Sequence, residues 1–243
     1  MISKNKTKYI KSLHDKKFRK EYGEFLVEWE KSIEELIKSN YEIIELFLSE
    51  NFYKKIKDKI NIKFEICSEE ELSKASTLKN NNSWIAIVKQ KNNKLDNYIF
   101  NETTLVLDDI KDPWNLWTII RIADWYWIKN IVCSNDTCEF YNPKVIISTM
   151  WSFSRVNITY TNLKDFLSLQ KMPIYWAFLW WENLWVTKLE KNCFVIIWNE
   201  SKWISSEIEQ IVTKKITIPK FWEAESLNAW VATWIIINSL FTK

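Results

Sequence analysis

Leu107-Asp108-Asp109-Ile110-Lys111-Asp112-Pro113-Trp114-Asn115-Leu116-Trp117-Thr118-Ile119-Ile120-Arg121 runs out of a short apolar strand, through a polar turn, and into a helical pattern. The same strand-then-polar-loop arrangement returns in Val195-Ile196-Ile197-Trp198-Asn199-Glu200-Ser201-Lys202-Trp203-Ile204 and in Ile218-Pro219-Lys220-Phe221-Trp222-Glu223-Ala224-Glu225-Ser226-Leu227-Asn228-Ala229. Around these stretches, strands fit Thr104 to Leu107, Asn130 to Cys133, Asn157 to Thr159, Ile174 to Leu179, Phe194 to Ile197 and Lys215 to Ile218. Helices fit Asn115 to Trp125, Pro143 to Met150, Leu163 to Leu169, Ser205 to Val212 and Ser226 to Phe241. Near-continuous apolar strands alternating with helices predict an α/β fold with a mainly parallel sheet covered on both faces.

Upstream the alternation is looser. Strands are expected at Glu24 to Glu28, Glu42 to Leu48, Ile62 to Ile66 and Trp84 to Val88, with helices at Lys31 to Lys38 and Asn51 to Lys57. Ser68-Glu69-Glu70-Glu71 reads as a capping box that opens a helix ending near Ala75. The polar run Lys89 to Asn97 has no apolar period and is the linker candidate. Two domains follow, 1–95 and 101–243.

The chain has 243 residues, 47% hydrophobic and 27% charged, a composition that excludes disordered and collagen-like architectures. No apolar stretch reaches the ~20 residues of a membrane-spanning helix, and the N-terminus lacks the apolar core of a secretory signal, so a cytoplasmic protein is expected. The first twenty residues carry Lys4, Lys6, Lys8, Lys11, Lys16, Lys17, Arg19 and Lys20 against Asp15, a net of +7 on a body that is otherwise −4. Such a basic arm suits contact with a phosphate backbone, with Lys16, Lys17, Arg19 and Lys20 as candidates; a merely solvated helix carries the same charge. Cys67, Cys133, Cys138 and Cys193 and the single His14 show neither zinc spacing nor a Cys-x-x-Cys pair, so no metal is expected and the cysteines read as reduced, partly buried thiols.

One count is abnormal. A single glycine, Gly23, stands beside 16 tryptophans. Together they number what roughly 7% glycine gives for this length. Fourteen of the tryptophans lie beyond residue 100, several in turn-like contexts such as Asp112-Pro113-Trp114-Asn115 and Trp180-Trp181-Glu182-Asn183, where glycine supplies the backbone freedom. One reading makes them core aromatics or stacking platforms for RNA bases. The other makes most of them UGA codons decoded as glycine in the source organism.

With glycine restored, the three stretches read DPGNLGTIIR, VIIGNESKGI and IPKFGEAESLNAGVATG, and the chain closely resembles the SpoU/TrmH family of RNA ribose 2′-O-methyltransferases within the SPOUT superfamily. It departs at the tryptophan positions and at Ala229, where the family often has a β-branched residue. Trp125 is a separate case, because close relatives carry a genuine tryptophan there. The resemblance implies a C-terminal SPOUT domain with a deep trefoil knot, preceded by a small αβα domain similar to a ribosomal protein. It also implies S-adenosylmethionine as cofactor, structured RNA (ribosomal or transfer) as substrate, and a homodimer through the C-terminal domain. By the same resemblance Arg121 and Asn115 serve the ribose hydroxyl, with Glu200, Ser226 and Asn228 beside them, and Ser226 and Asn228 start the last helix. Trp176, Trp198, Asn199, Ile218 and Leu227 mark the cofactor site. The alternative is a non-catalytic RNA-binding module whose cofactor pocket real tryptophans obstruct. A nucleotide-binding dehydrogenase is excluded, because no G-x-G-x-x-G follows the first strand even after restoration.

Overall fold

The computed structural model describes residues 2–28, 33–95, 98, 100–199, 206–221, 223 and 226–242. The chain divides into two compact units, Met1–Asn92 with Glu139–Ser154, and Asn93–Cys138 with Arg155–Lys243. The break falls inside the polar run 89–97.

The first unit is built on a four-stranded sheet. Its strands are β1 (Glu24–Glu28), β2 (Ile43–Ser49), β3 (Glu65–Cys67) and β4 (Trp84–Lys89), in the order β1-β4-β2-β3. Helices α1 (Lys4–Ser12), α2 (Lys16–Tyr22), α3 (Ile33–Lys38), α4 (Glu50–Ile56) and α5 (Glu69–Ala75) complete it. Ser68 caps α5 in the box expected from the sequence, its hydroxyl accepting from the Glu71 amide while the Glu71 carboxylate accepts from the Ser68 amide.

The basic N-terminus is not an arm. α1 and α2 are packed helices whose Ile10 and Leu13 lie buried with Leu26, Phe47 and Ile87. The segment 139–154, which the sequence pattern placed in the second domain, packs with the first unit and contributes α7 (Pro143–Ser148) to it. The cause is aromatic: the Tyr141 ring lies 4.5 Å from Phe25, and Phe153 lies 6.4 Å from Phe25 and 5.8 Å from Tyr41.

The second unit is a six-stranded, wholly parallel sheet. Its elements are β5 (Thr104–Asp108), α6 (Pro113–Trp125), β6 (Asn130–Ser134), β7 (Asn157–Thr161), α8 (Leu163–Ser168), β8 (Ile174–Asn183), β9 (Phe194–Trp198), α9 (Ser206–Glu209), β10 (Lys214–Thr217) and α10 (Ala229–Thr242). The strand order is β10-β8-β9-β5-β6-β7. Buried residues along β5 and β9 up to their last positions, Asp108 and Trp198, match their continuous apolar runs, as central parallel strands require.

Several boundaries move from the sequence expectation. α6 begins two residues early because the Asp112 side chain accepts from the Trp114 amide and Pro113 fits the first helical position. α10 begins at Ala229, not Ser226, because it is the Asn228 side chain that accepts from the Trp230 amide. β8 runs on to Asn183 because β10 pairs with it twice, at Tyr175 and Trp176 and again at Glu182 and Asn183, with a register shift between.

Candidate functional site

The chain enters the second unit at β5, builds outward through β6 and β7, then returns to lay β9 on the other side of β5. The strand order reverses at β5 and β9, and the carboxyl ends of strands at such a reversal form the usual ligand crevice of an open parallel sheet. Asp108, the last residue of β5, pairs in register with Trp198, the last of β9. The loops that leave from these two residues are those of the first two sequence motifs.

Asn199 ties the loops together. Its backbone N–H donates to the Asp108 carbonyl at 3.1 Å, and its side-chain amide donates to the Asp109 carbonyl at 3.1 Å. The β5 loop is shaped by Asp109, which takes a left-handed φ of 56° and donates its N–H to Ser134 Oγ at 2.9 Å. Lys111 pairs with the Asp109 carboxylate and donates to the Asp136 carbonyl at 2.7 Å. That carboxylate raises the lysine above its ordinary pKa. Asp109 and Lys111 were not picked out from the sequence, and the signal was a second acid beyond the strand end, where the chain must turn.

Asn199→Ala removes one bond in this tie and is expected to cost about 1 kcal/mol of stability. Asn199→Asp is expected to cost more, because it sets a carboxylate against the Asp109 carbonyl. Thermal unfolding of the two variants gives the order.

Arg121 is exposed on α6, with its guanidinium carbon 5.7 Å from the centre of the Trp117 ring one turn earlier. Asn115 Oδ1 is buried without a hydrogen-bond partner. Its amide therefore does not bond Arg121. Ile218 follows β10, and Ser226, Leu227 and Asn228 lie exposed before α10, which packs against α6 and β9. Asn228 is engaged in capping that helix. Glu200 lies outside the described residues.

Lys16, Lys17 and Lys20 are exposed on α2. Arg19 is not available to a phosphate, and its assignment to RNA contact is corrected. It is 2% exposed, and its guanidinium donates to both Glu139 carboxylate oxygens at 3.1 and 2.6 Å and to the Leu13 and His14 carbonyls. Of the four cysteines, Cys67, Cys133 and Cys193 are buried, and burial pushes Cys193 up to about 12.

Residues 102–238 match the SpoU rRNA Methylase family, and residues 4–86 match the MRM3-like substrate binding domain. The chain is 25% identical to the 23S rRNA (guanosine(2553)-2′-O)-methyltransferase RlmP of Bacillus subtilis, over 97% of this chain and 95% of that one. Among solved structures it is similar to a protein described as an RNA methyltransferase of the TrmH family from Porphyromonas gingivalis. That likeness has a TM-score of 0.90 at 26% identity, covering 99% of this chain and 98% of the other. An AdoMet-bound rRNA methyltransferase from Sinorhizobium meliloti shares the fold with a TM-score of 0.85 at 23% identity, over 99% and 96% of the two chains.

S-adenosylmethionine is the cofactor implied by this fold, and the residues as written do not fit it. Trp176, assigned to the cofactor site, is instead a fully buried core side chain packed with Val106, Phe194 and Ile196. Its ring meets Trp198 edge-on at 5.4 Å, so two indoles pack together against the core at β8 and β9.

Proposed function

The chain belongs to the SpoU rRNA methylase family, and from that membership we propose which of its residues serve the reaction and on which RNA. The protein is an S-adenosylmethionine-dependent methyltransferase acting on a ribose 2′-hydroxyl of RNA. The observation that carries the assignment of residues is the tie of Asn199 to Asp108 and Asp109 where the strand order reverses, with α6 and Arg121 leaving the same loop.

Arg121 orients the ribose through the phosphate beside it, since a guanidinium is effectively always protonated and its planar fork matches a phosphate. Asn115, in the first turn of the same helix, serves the ribose hydroxyl with it, as the family resemblance implies. Ser226 and Asn228 line the same crevice, Glu200 is assigned to the same reaction by the family resemblance alone, and Asn199, Ile218 and Leu227 form the cofactor side. The second unit is a SPOUT domain with a trefoil knot, as the family resemblance implies. The substrate is ribosomal RNA, a choice supported by RlmP, which aligns along almost the whole chain. The first unit holds that RNA and the second carries the chemistry, in the cytoplasm.

Digesting ribosomal and transfer RNA to nucleosides after incubation of the glycine-bearing chain with methyl-labelled S-adenosylmethionine tests this. Label is expected in a 2′-O-methylnucleoside of ribosomal RNA. Label in a base would overturn the assignment, and RNA bound without label would favour the non-catalytic binding module.

On the first unit, Lys16, Lys17 and Lys20 meet the RNA backbone. Reversing all three charges is expected to weaken binding evenly across RNA sequences and to flatten its salt dependence by about 0.7–0.9 per lost phosphate contact. A salt titration of RNA binding reads both effects.

The second unit pairs with a second copy through α10. That helix has no charged residue from Ala229 to Thr242, yet Val231 and Ile235 are not buried within the chain. A dimer mass is expected from light scattering, and Ile235→Glu is expected to shift it to the monomer.

A further inference from the structure

We propose that the native protein carries glycine, not tryptophan, at Trp127, Trp176 and Trp198, and that the cofactor cleft exists only in that chain. The backbone gives the first reason. The one glycine, Gly23, ends α2 in the left-handed conformation at φ 67°, its N–H donating to the Arg19 carbonyl at 3.0 Å. Trp127 ends α6 in the same conformation at φ 60°. There the Trp127 N–H donates to Asp124 and the Ile128 N–H donates to Ala123, at 3.1 and 2.8 Å. This pair of bonds is the helix-ending motif whose left-handed residue is usually glycine. A bulky side chain in that region is an outlier, and the Trp127 indole is 76% exposed, so packing does not hold it there.

Exposure gives the second reason. Of the twelve tryptophans whose side chains are described, seven are exposed: Trp114, Trp125, Trp127, Trp151, Trp181, Trp185 and Trp234. Among the described residues the same holds for only one phenylalanine, Phe221, and one tyrosine, Tyr22. The chain therefore buries its other aromatics normally, and tryptophan alone behaves as a residue the fold does not want inside.

Where tryptophan is fully inside, the fit is poor in another way. The indole N–H groups of Trp84 and Trp176 are buried without an acceptor, whereas a buried tryptophan usually finds one. At the site itself, glycine at 176 and 198 would clear the space the two indoles fill against the core. Glycine at Trp117 would release the Arg121 guanidinium that now lies over that ring. The identity of the cleared space as a cofactor cleft rests on the methyltransferase reading, but the residue identities do not.

Tryptic peptides of the protein purified from its source cells decide the matter. Cleavage after Arg121 and Lys129 releases residues 122–129, with position 127, and cleavage after Lys191 and Lys202 releases 192–202, with position 198. Fragment masses are expected to read glycine at both positions, and UGA is expected in the coding DNA. Tryptophan at either position, wholly or in part, overturns the proposal. Because no activity is measured, a protein with glycine that methylates nothing would sink the functional reading and leave this one standing.

Discussion

Replacing Trp176 and Trp198 together by glycine is expected to turn a chain that does not take up S-adenosylmethionine into one that does. The two rings meet at 5.4 Å in the core of the second unit, at the positions assigned to the cofactor. Micromolar uptake corresponds to a gain of about 8 kcal/mol of binding free energy over none. Removing a core indole costs the empty protein stability, of order 3–5 kcal/mol for the change to alanine. Cofactor at a hundredfold excess over its dissociation constant returns about 2.7 kcal/mol. The double variant is thus expected to melt below the parent alone and to rise with cofactor, while the parent's midpoint stays fixed. Equal binding by both chains in a calorimeter would show that the indoles leave room.

Trp127→Gly has the opposite sign in the empty protein, and the contrast separates the two kinds of site. It relieves a left-handed side chain worth about 1–2 kcal/mol, and no buried contact is lost. At this chain length that raises the midpoint by about 2–4 °C per kcal/mol.

Arg121→Ala, made in the glycine-bearing chain, is expected to lower turnover on RNA by about 10²–10⁴-fold, the range for a lost positioned proton-handling or orienting group. Cofactor binding should be unaltered, because the side chain points outward from α6. Arg121→Lys keeps the charge and loses the fork. If orientation of a phosphate is the role, the lysine variant binds RNA as the parent does but remains slow across the pH range. If proton removal is the role, its rate climbs as the lysine deprotonates toward its ordinary pKa of about 10.4. Unchanged turnover in the alanine variant would remove Arg121 from the reaction.

The parallel core was legible because β5, β6 and β9 are short apolar runs whose residues are buried on both faces. The same is true of the α5 capping box, which is a local device complete within four residues. What escaped depends on partners far along the chain. Arg19 reads as one more cation in a basic run, and only Glu139, 120 residues on, makes it a buried ion pair. The far end of β8 is set by β10, and the allegiance of 139–154 by Phe25 and Tyr41. Ser226 and Asn228 are two capping residues two positions apart, and propensity does not choose between them. The site motifs were visible as residue types, but their meeting through Asn199 needed the pairing of β5 with β9.

The composition of the first unit has a consequence for its birth on the ribosome. Residues 1–92 are made well before Glu139–Ser154, the segment that supplies the partner of Arg19 and the rings against Phe25 and Tyr41. At about 5–20 residues per second the delay is roughly 3–12 s. Through that interval the nascent unit has an open aromatic side and a guanidinium destined for burial without its carboxylate. A ribosome-associated holdase therefore has a defined patch to cover, and protease sensitivity of stalled nascent chains should fall only once residue 154 has cleared the exit tunnel.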